Sequence, residues 1–184
     1  MSGGAWGVVL LAGAVLLAAV WIYNRLIADR NLAREGFADI DVQLKRRADL
    51  VPQLVEAVRG YAAHEKALLT SVAELRSAAV AASPGVDAGR FENERELGAK
   101  LKQMLLLQEA YPQLKADANF RDLSAKLVEV EDHLQYARRF YNGAVKQYRD
   151  RLESFPHVLV ARGFGFEALP FFETDDRAAV KVQL

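Results

Sequence analysis

The pair His64-Glu65 is the first place in this chain where chemistry could sit. A histidine followed by glutamate opens the zinc-protease motif, which needs a second histidine four residues after the first so that both face one metal. Position 68 is Leu68, so the motif fails. His133 and His157 are distant in sequence, and there is no cysteine, which removes thiolate ligands, thiol nucleophiles and disulfides together. Di-iron bundles need Glu-x-x-His pairs on two helices. Glu65, Glu129 and Glu131 have no histidine three residues on, and the third neighbour of Glu153 is Pro156. No Gly-x-Ser-x-Gly elbow holds a nucleophilic serine. Gly163-Phe164-Gly165 is too short for a phosphate loop and follows no strand. The sequence therefore assigns no catalytic residue, no metal ligand and no cofactor. The polar residues that stand out are Arg46, Arg47, Asp49, Glu109, Arg138 and Asn142. They suit interhelical ion pairs that fix the register of packed helices, or a polar groove that holds a partner.

Lysine plus arginine balances aspartate plus glutamate at 24 each, so no basic excess exists to hold a nucleic acid. The one basic cluster, Lys45-Arg46-Arg47, is flanked by Asp39, Asp41 and Asp49 and reads as a solvated or ion-paired helix face. Composition points to no small-molecule substrate either.

These side chains need a scaffold, and residues 5–22 decide where it works. The run AWGVVLLAGAVLLAAVWI carries no charge. At 1.5 Å per residue it spans about 27 Å, against a hydrocarbon core of about 30 Å. Trp6, Trp21 and Tyr23 make up the deficit at the headgroup level. Its nine Leu, Ile and Val residues contribute roughly −3 to −5 kcal/mol to insertion, and no charge opposes them. A cleaved signal peptide would need a basic leader and a small-residue cleavage site. Residues 1–7 have no Lys or Arg, and the run ends in Trp21-Ile22-Tyr23-Asn24. A buried core helix would keep a polar face somewhere along this length. Arg25, Arg30 and Arg34 follow the run closely. By the positive-inside rule they place the amino terminus outside and the carboxy-terminal part in the cytoplasm.

The remaining 160 or so residues suffice for one domain with a real core, and helical periodicity runs through them. Leu26, Ala33, Phe37, Ile40, Leu44 and Val51 step by sevens, fours and threes. Pro52 lacks an amide proton and disfavours helix before it, which predicts a break or kink at 48–52. A second helix then runs to about Ala81 with Gly60 inside it, and 82–87 is the strongest loop signal. The third helix spans about 89–110 and stops at Tyr111-Pro112. Residues 114–118 read as a connection, with Asp117 or Asn119 as a cap. The fourth helix alternates threes and fours from Phe120 through Leu134 and Tyr148 to Leu152 and Phe155, the mark of a bundle seam. Pro156 ends it. Five of the nine phenylalanines fall in 155–172. So apolar a tail must fold back on the helices, pack on another subunit or lie on the membrane surface. Residues from Asp175 on read as a mobile end.

Long blocks of this sequence carry a resemblance. They are Tyr23-Asn24-x-Leu26, Ile40-Asp41-Val42-Gln43-Leu44-Lys45-Arg46-Arg47-Ala48-Asp49-Leu50-Val51-Pro52, Gly60-Tyr61-Ala62-Ala63-His64-Glu65, Tyr111-Pro112-x-Leu114-Lys115-Ala116, Arg138-Arg139-Phe140-Tyr141-Asn142, Phe155-Pro156 and Gly165-Phe166. In this order they resemble the LemA family of bacterial membrane proteins. Gln53, where the family pattern has Asn, and the end 180–184, which lacks a final aromatic, depart from it. The resemblance implies an all-α protein: an N-terminal transmembrane helix followed by an up-and-down antiparallel four-helix bundle with an aromatic-rich tail. Its parts are a leader at 1–4, the membrane helix at 5–23, the bundle at 24–155 and the tail at 156–184. It implies no reaction and carries over no functional residue. The expected function is a non-catalytic scaffold or interaction protein at the bacterial inner membrane; the alternative is a regulatory subunit or adaptor of a membrane protease or other membrane enzyme. Expected partners are the lipid bilayer, further copies of the chain and an unidentified membrane protein. Gly13, Ala14 and Ala18 permit close helix association.

Overall fold

The computed structural model describes residues 3–82, 85 and 87–172. The loop reading at Ser83, Pro84 and Val86, the first two leader residues, the mobile end and the departure at 180–184 lie outside these. The helices are α1 (Gly3–Arg59), α2 (Lys66–Ala81), α3 (Ala88–Ala110), α4 (Pro112–Ala116), α5 (Ala118–Glu153) and α6 (His157–Gly163). No strand occurs among the described residues. The chain forms two compact units. The first comprises Met1–Gly36 and Phe140–Leu169, the second Phe37–Arg139 and Pro170–Leu184.

In the first unit, Ile22 and Leu26 of α1, Tyr148 and Leu152 of α5 and Ala161 of α6 form one apolar cluster. Val160, Phe166 and Leu169 pack against it. Gly36 marks a close approach of α1 and α5: a Cβ there would lie 2.8 Å from Cδ1 of Phe140 and 3.2 Å from the Tyr141 Cα. The ring can swing, but the backbone cannot. Overpacking a tight site costs about 1–3 kcal/mol. Gly36→Val should lose about that much by urea denaturation in mild detergent.

In the second unit, Val51, Leu54, Val55 and Val58 of α1 meet Leu69 and Val72 of α2. Leu97, Leu101 and Met104 of α3, Leu114 of α4, and Phe120, Leu123 and Leu127 of α5 complete this core. These stripes follow the spacing of the sequence, but the boundaries at the first turn do not. α1 runs through Pro52 instead of breaking at 48–52. Proline cannot donate to the carbonyl four residues back, and here that carbonyl has another donor: Arg76 Nε of α2 donates to Ala48 O at 3.2 Å. A side chain from a neighbouring helix thus supplies the missing hydrogen bond. Arg76→Met should therefore cost more in the parent than in a Pro52→Ala background, where the backbone can bond itself. Equal costs in the two backgrounds, measured by a double-mutant cycle, would rule this out.

The helix ends instead at Gly60, which the sequence placed mid-helix. Glycine is about 1 kcal/mol poorer than alanine in a helix. The following turn is fastened by Tyr61 OH donating to Asp117 Oδ2 at 2.9 Å and Tyr111 OH donating to Glu65 Oε1 at 3.2 Å. Residues 114–118 are also more than a connection: Pro112 starts the short α4, proline being well placed in a first turn.

Candidate functional site

The residue around which the second unit's polar groups gather is Arg47. It lies on the core-facing stripe of α1, three residues after Leu44 and four before Val51, and it is 0 % exposed. A fully buried guanidinium demands compensation. Nη1 donates to Glu131 Oε1 of α5 at 2.9 Å. Nη2 donates to the Glu94 backbone carbonyl at 2.8 Å and to the Glu94 carboxylate, which is itself buried on α3. Gly98, one turn on, lets the head group in, for a Cβ there would stand 3.1 Å from Nη1. Arg47 therefore ties three helices through one fork of donors. Its head is wholly enclosed, so it binds inward rather than to a ligand from solvent.

The first unit repeats the device with the sign reversed. Asp29 is buried on the stripe of α1, three residues after Leu26. It accepts from Gln147 Nε2 at 2.9 Å and pairs with Arg151, both of α5, with Arg25 at 4.0 Å.

The six polar residues singled out by sequence differ in burial and in the unit they belong to. Arg47 is the buried hub, whereas Arg46, Asp49 and Glu109 are exposed. Arg138 lies over the Phe172 ring at 4.4 Å, and Asn142 falls in the first unit. The basic cluster splits likewise, with Lys45 and Arg46 exposed and Arg47 enclosed. Glu94 and Asp29, the most buried carboxylates, were not among the candidates.

The three histidines belong to different elements. His64 is exposed in the turn after α1, and His133 pairs loosely with Glu129 at 3.7 Å. His157 opens α6 in the other unit. Among the described residues no group of three or more His, Asp or Glu side chains could hold a metal ion. Gly163-Phe164-Gly165 closes α6: Gly165 has φ +67°, and the Phe166 N–H donates to Ala161 O at 3.0 Å. That is the left-handed glycine cap of a helix C-terminus.

Two grooves open on the surface of the described residues. One of about 470 Å³ is lined by Lys146, Gln147, Asp150, Arg151, Ser154 and His157. Another of about 550 Å³ is lined by Arg59, Lys66, Leu69, Thr70 and Ala73.

The tail is split between the units. Phe164 and Phe166 meet the Tyr23 ring edge-on at 5.0 and 5.5 Å. Phe172 is buried beside Phe91, their ring centres 4.2 Å apart. Phe91 also faces Phe37, over which Arg90 lies while pairing with Asp41. Phe155, expected to extend the α5 stripe, is instead exposed, because α5 stops at Glu153.

Asp117, one of the two cap candidates, caps α5: its Oδ1 accepts the Phe120 N–H at 2.7 Å. That bond and the Tyr61 hydroxyl hold its carboxyl below the usual carboxylate range. The hydrogen bond to the Asp117 carboxylate pushes the Tyr61 phenol up. Asp117's contribution is complete above its unfolded value of about 3.9. It is lost as pH falls through the lower folded value. Asp117→Ala should lower the melting temperature at pH 7, and the gap from the parent should narrow on acidification below pH ~4.

Among the described residues α1 is the one helix long and apolar enough to cross a membrane. Only 6 % of its apolar window is buried within the chain. The family profile described as LemA family matches residues 36–184. Two magnetosome proteins of Paramagnetospirillum magneticum, MamQ 1 and MamQ 2, are each 21 % identical over 189 aligned residues, covering 90 % of this chain and 70 % of the relative. MamQ of Magnetospirillum gryphiswaldense is 20 % identical over 174, covering 82 % and 64 %.

Proposed function

Because this chain belongs to the LemA family, we propose that it is a non-catalytic, membrane-anchored interaction protein of the bacterial inner membrane. In this reading the apolar start of α1 crosses the bilayer once, with the amino terminus outside and the rest in the cytoplasm. α1, α2, α3 and α5 pack up and down as the four-helix bundle that the resemblance implies, and the body engages further copies of the chain or a membrane-protein partner. The observation that carries the reading is the contrast along one helix. Residues 8–11 and 15–17 of α1 are exposed and apolar, yet Ile22 and Leu26, directly after them, are buried. A core helix would be covered throughout, and a cleavable leader would not continue as the packed helix of the mature body. The similarity to proteins named as magnetosome proteins supports association with a cellular structure. In-cell crosslinking followed by affinity isolation from native membranes tests the proposal. Adducts with itself or with a membrane protein are expected. Recovery as an uncrosslinked monomer would remove the interaction role. A co-isolated enzyme whose rate changes when this chain is deleted would favour the adaptor reading instead.

A further inference from the structure

We infer that the turn from the end of α5 through α6 to Phe164 is a seat on the headgroup boundary of the bilayer, its exposed apolar side chains reaching into lipid. This rests on the proposal that the start of α1 crosses the membrane. The first argument is position. His157, at the start of α6, meets the Trp21 ring with centroids 6.3 Å apart, and Phe164, just past its end, meets Tyr23 edge-on at 5.0 Å. Both ends of α6 are therefore fastened to the residues that close the apolar run. If the run lies in hydrocarbon, α6 lies at the level where the helix leaves it.

The second argument is the division of faces. Ala161 is buried, and Val160 and Phe166 pack on the same cluster with Leu26 and Leu152. On the outside, Phe155 is 80 % exposed, Leu159 64 % and Phe164 67 %, and Trp21 of α1 is exposed as well. The left-handed Gly165 separates Phe164, which stays outside, from Phe166, which turns in under Arg30. Large exposed apolar side chains on a turn fastened to the end of an uncovered apolar helix call for a covering medium, and lipid can cover both parts. The third argument is charge: Arg25, one turn of α1 past Trp21, and Arg162, in the last turn of α6, are both exposed and available to lipid phosphates.

The chain contains no cysteine, so single probes can be placed in the full-length protein. Leu17→Cys, Leu159→Cys, Phe164→Cys and Lys126→Cys each carry a fluorophore in vesicles of phosphatidylcholine and phosphatidylglycerol. Spin-labelled lipids and a water-soluble quencher then report depth. The expected result is quenching of Leu17→Cys by acyl-chain labels, and of Leu159→Cys and Phe164→Cys by labels near the headgroup. Lys126→Cys should respond to the aqueous quencher alone. Water-exposed probes at 159 and 164, with a lipid-quenched probe at 17, would overturn the seat and leave the crossing helix standing. Probes at 159 and 164 shielded from lipid and water alike would show that a second protein covers this face, and would also overturn it. A water-exposed probe at 17 would remove the crossing helix and the seat with it.

Discussion

Arg47→Ala is expected to destabilise the chain by about 3–5 kcal/mol, because it leaves an uncompensated buried carboxylate behind. The enclosed group is Glu94, whose side chain is 4 % exposed, whereas Glu131 is 32 % exposed and can turn to water. The Glu94 carbonyl also loses its donor from Nη2. Against a whole-domain stability of roughly 5–15 kcal/mol, that is a large share, and the variant should unfold at a clearly lower denaturant concentration than the parent. The double replacement Arg47→Met with Glu94→Leu removes both charges and fills the space, and such exchanges are neutral or better in other proteins. It should recover most of the loss. Glu131→Gln, at a half-exposed position, should cost less than either single change at the buried pair. Denaturation followed by circular dichroism in mild detergent gives the order. An Arg47→Ala protein within about 1 kcal/mol of the parent would show that the guanidinium is not enclosed in solution. A double variant as weak as the single would show that the fork of donors does more than balance charge.

The second large effect is on membrane insertion. Leu11 and Val15 are exposed on α1, so replacing them disturbs no packing inside the chain. A lysine near a helix centre opposes insertion by about 2.5–3.5 kcal/mol. Leu11→Lys alone brings the run's roughly −3 to −5 kcal/mol close to zero. Leu11→Lys with Val15→Lys adds about 5–7 kcal/mol against it and reverses the sign. After alkaline carbonate extraction, the parent should stay in the membrane pellet, the single variant should divide, and the double variant should be released or degraded. Leu11→Phe serves as the control that behaves like the parent. A double variant that remained in the pellet would show that something other than the apolar run holds the protein there.

What the sequence made legible follows from which physical terms are local. The α5 stripe was readable because nearly every third or fourth residue is apolar and buried, from Phe120 to Leu152. The polar hubs were half readable. The apolar stripe of α1 leaves two gaps of seven, between Leu26 and Ala33 and between Leu44 and Val51. Asp29 and Arg47 stand inside those gaps at core positions. A charged residue on an otherwise unbroken apolar stripe is the signal that would have found Asp29. Glu94 offered a similar sign, three residues from both Phe91 and Leu97. Which acid answers which base was not readable, since the Arg47 partners lie 47 and 84 residues away. The continuation of α1 through Pro52 was hidden for the same reason: the donor that makes it tolerable is 28 residues downstream of the Ala48 carbonyl it serves. Gly60 and Pro52 compete as helix breakers, and local propensity alone ranks proline as the worse. Tertiary bonding reversed that order.

The Arg76 bond to Ala48 makes the middle of one helix depend on the presence of another. When α2 lifts away in a native-state fluctuation, α1 loses its substitute donor at the same instant, beside a residue that can offer none. Amides in the turn around Pro52 should therefore exchange with deuterium in step with those of α2, rather than at the slower pace of the α1 turns on either side.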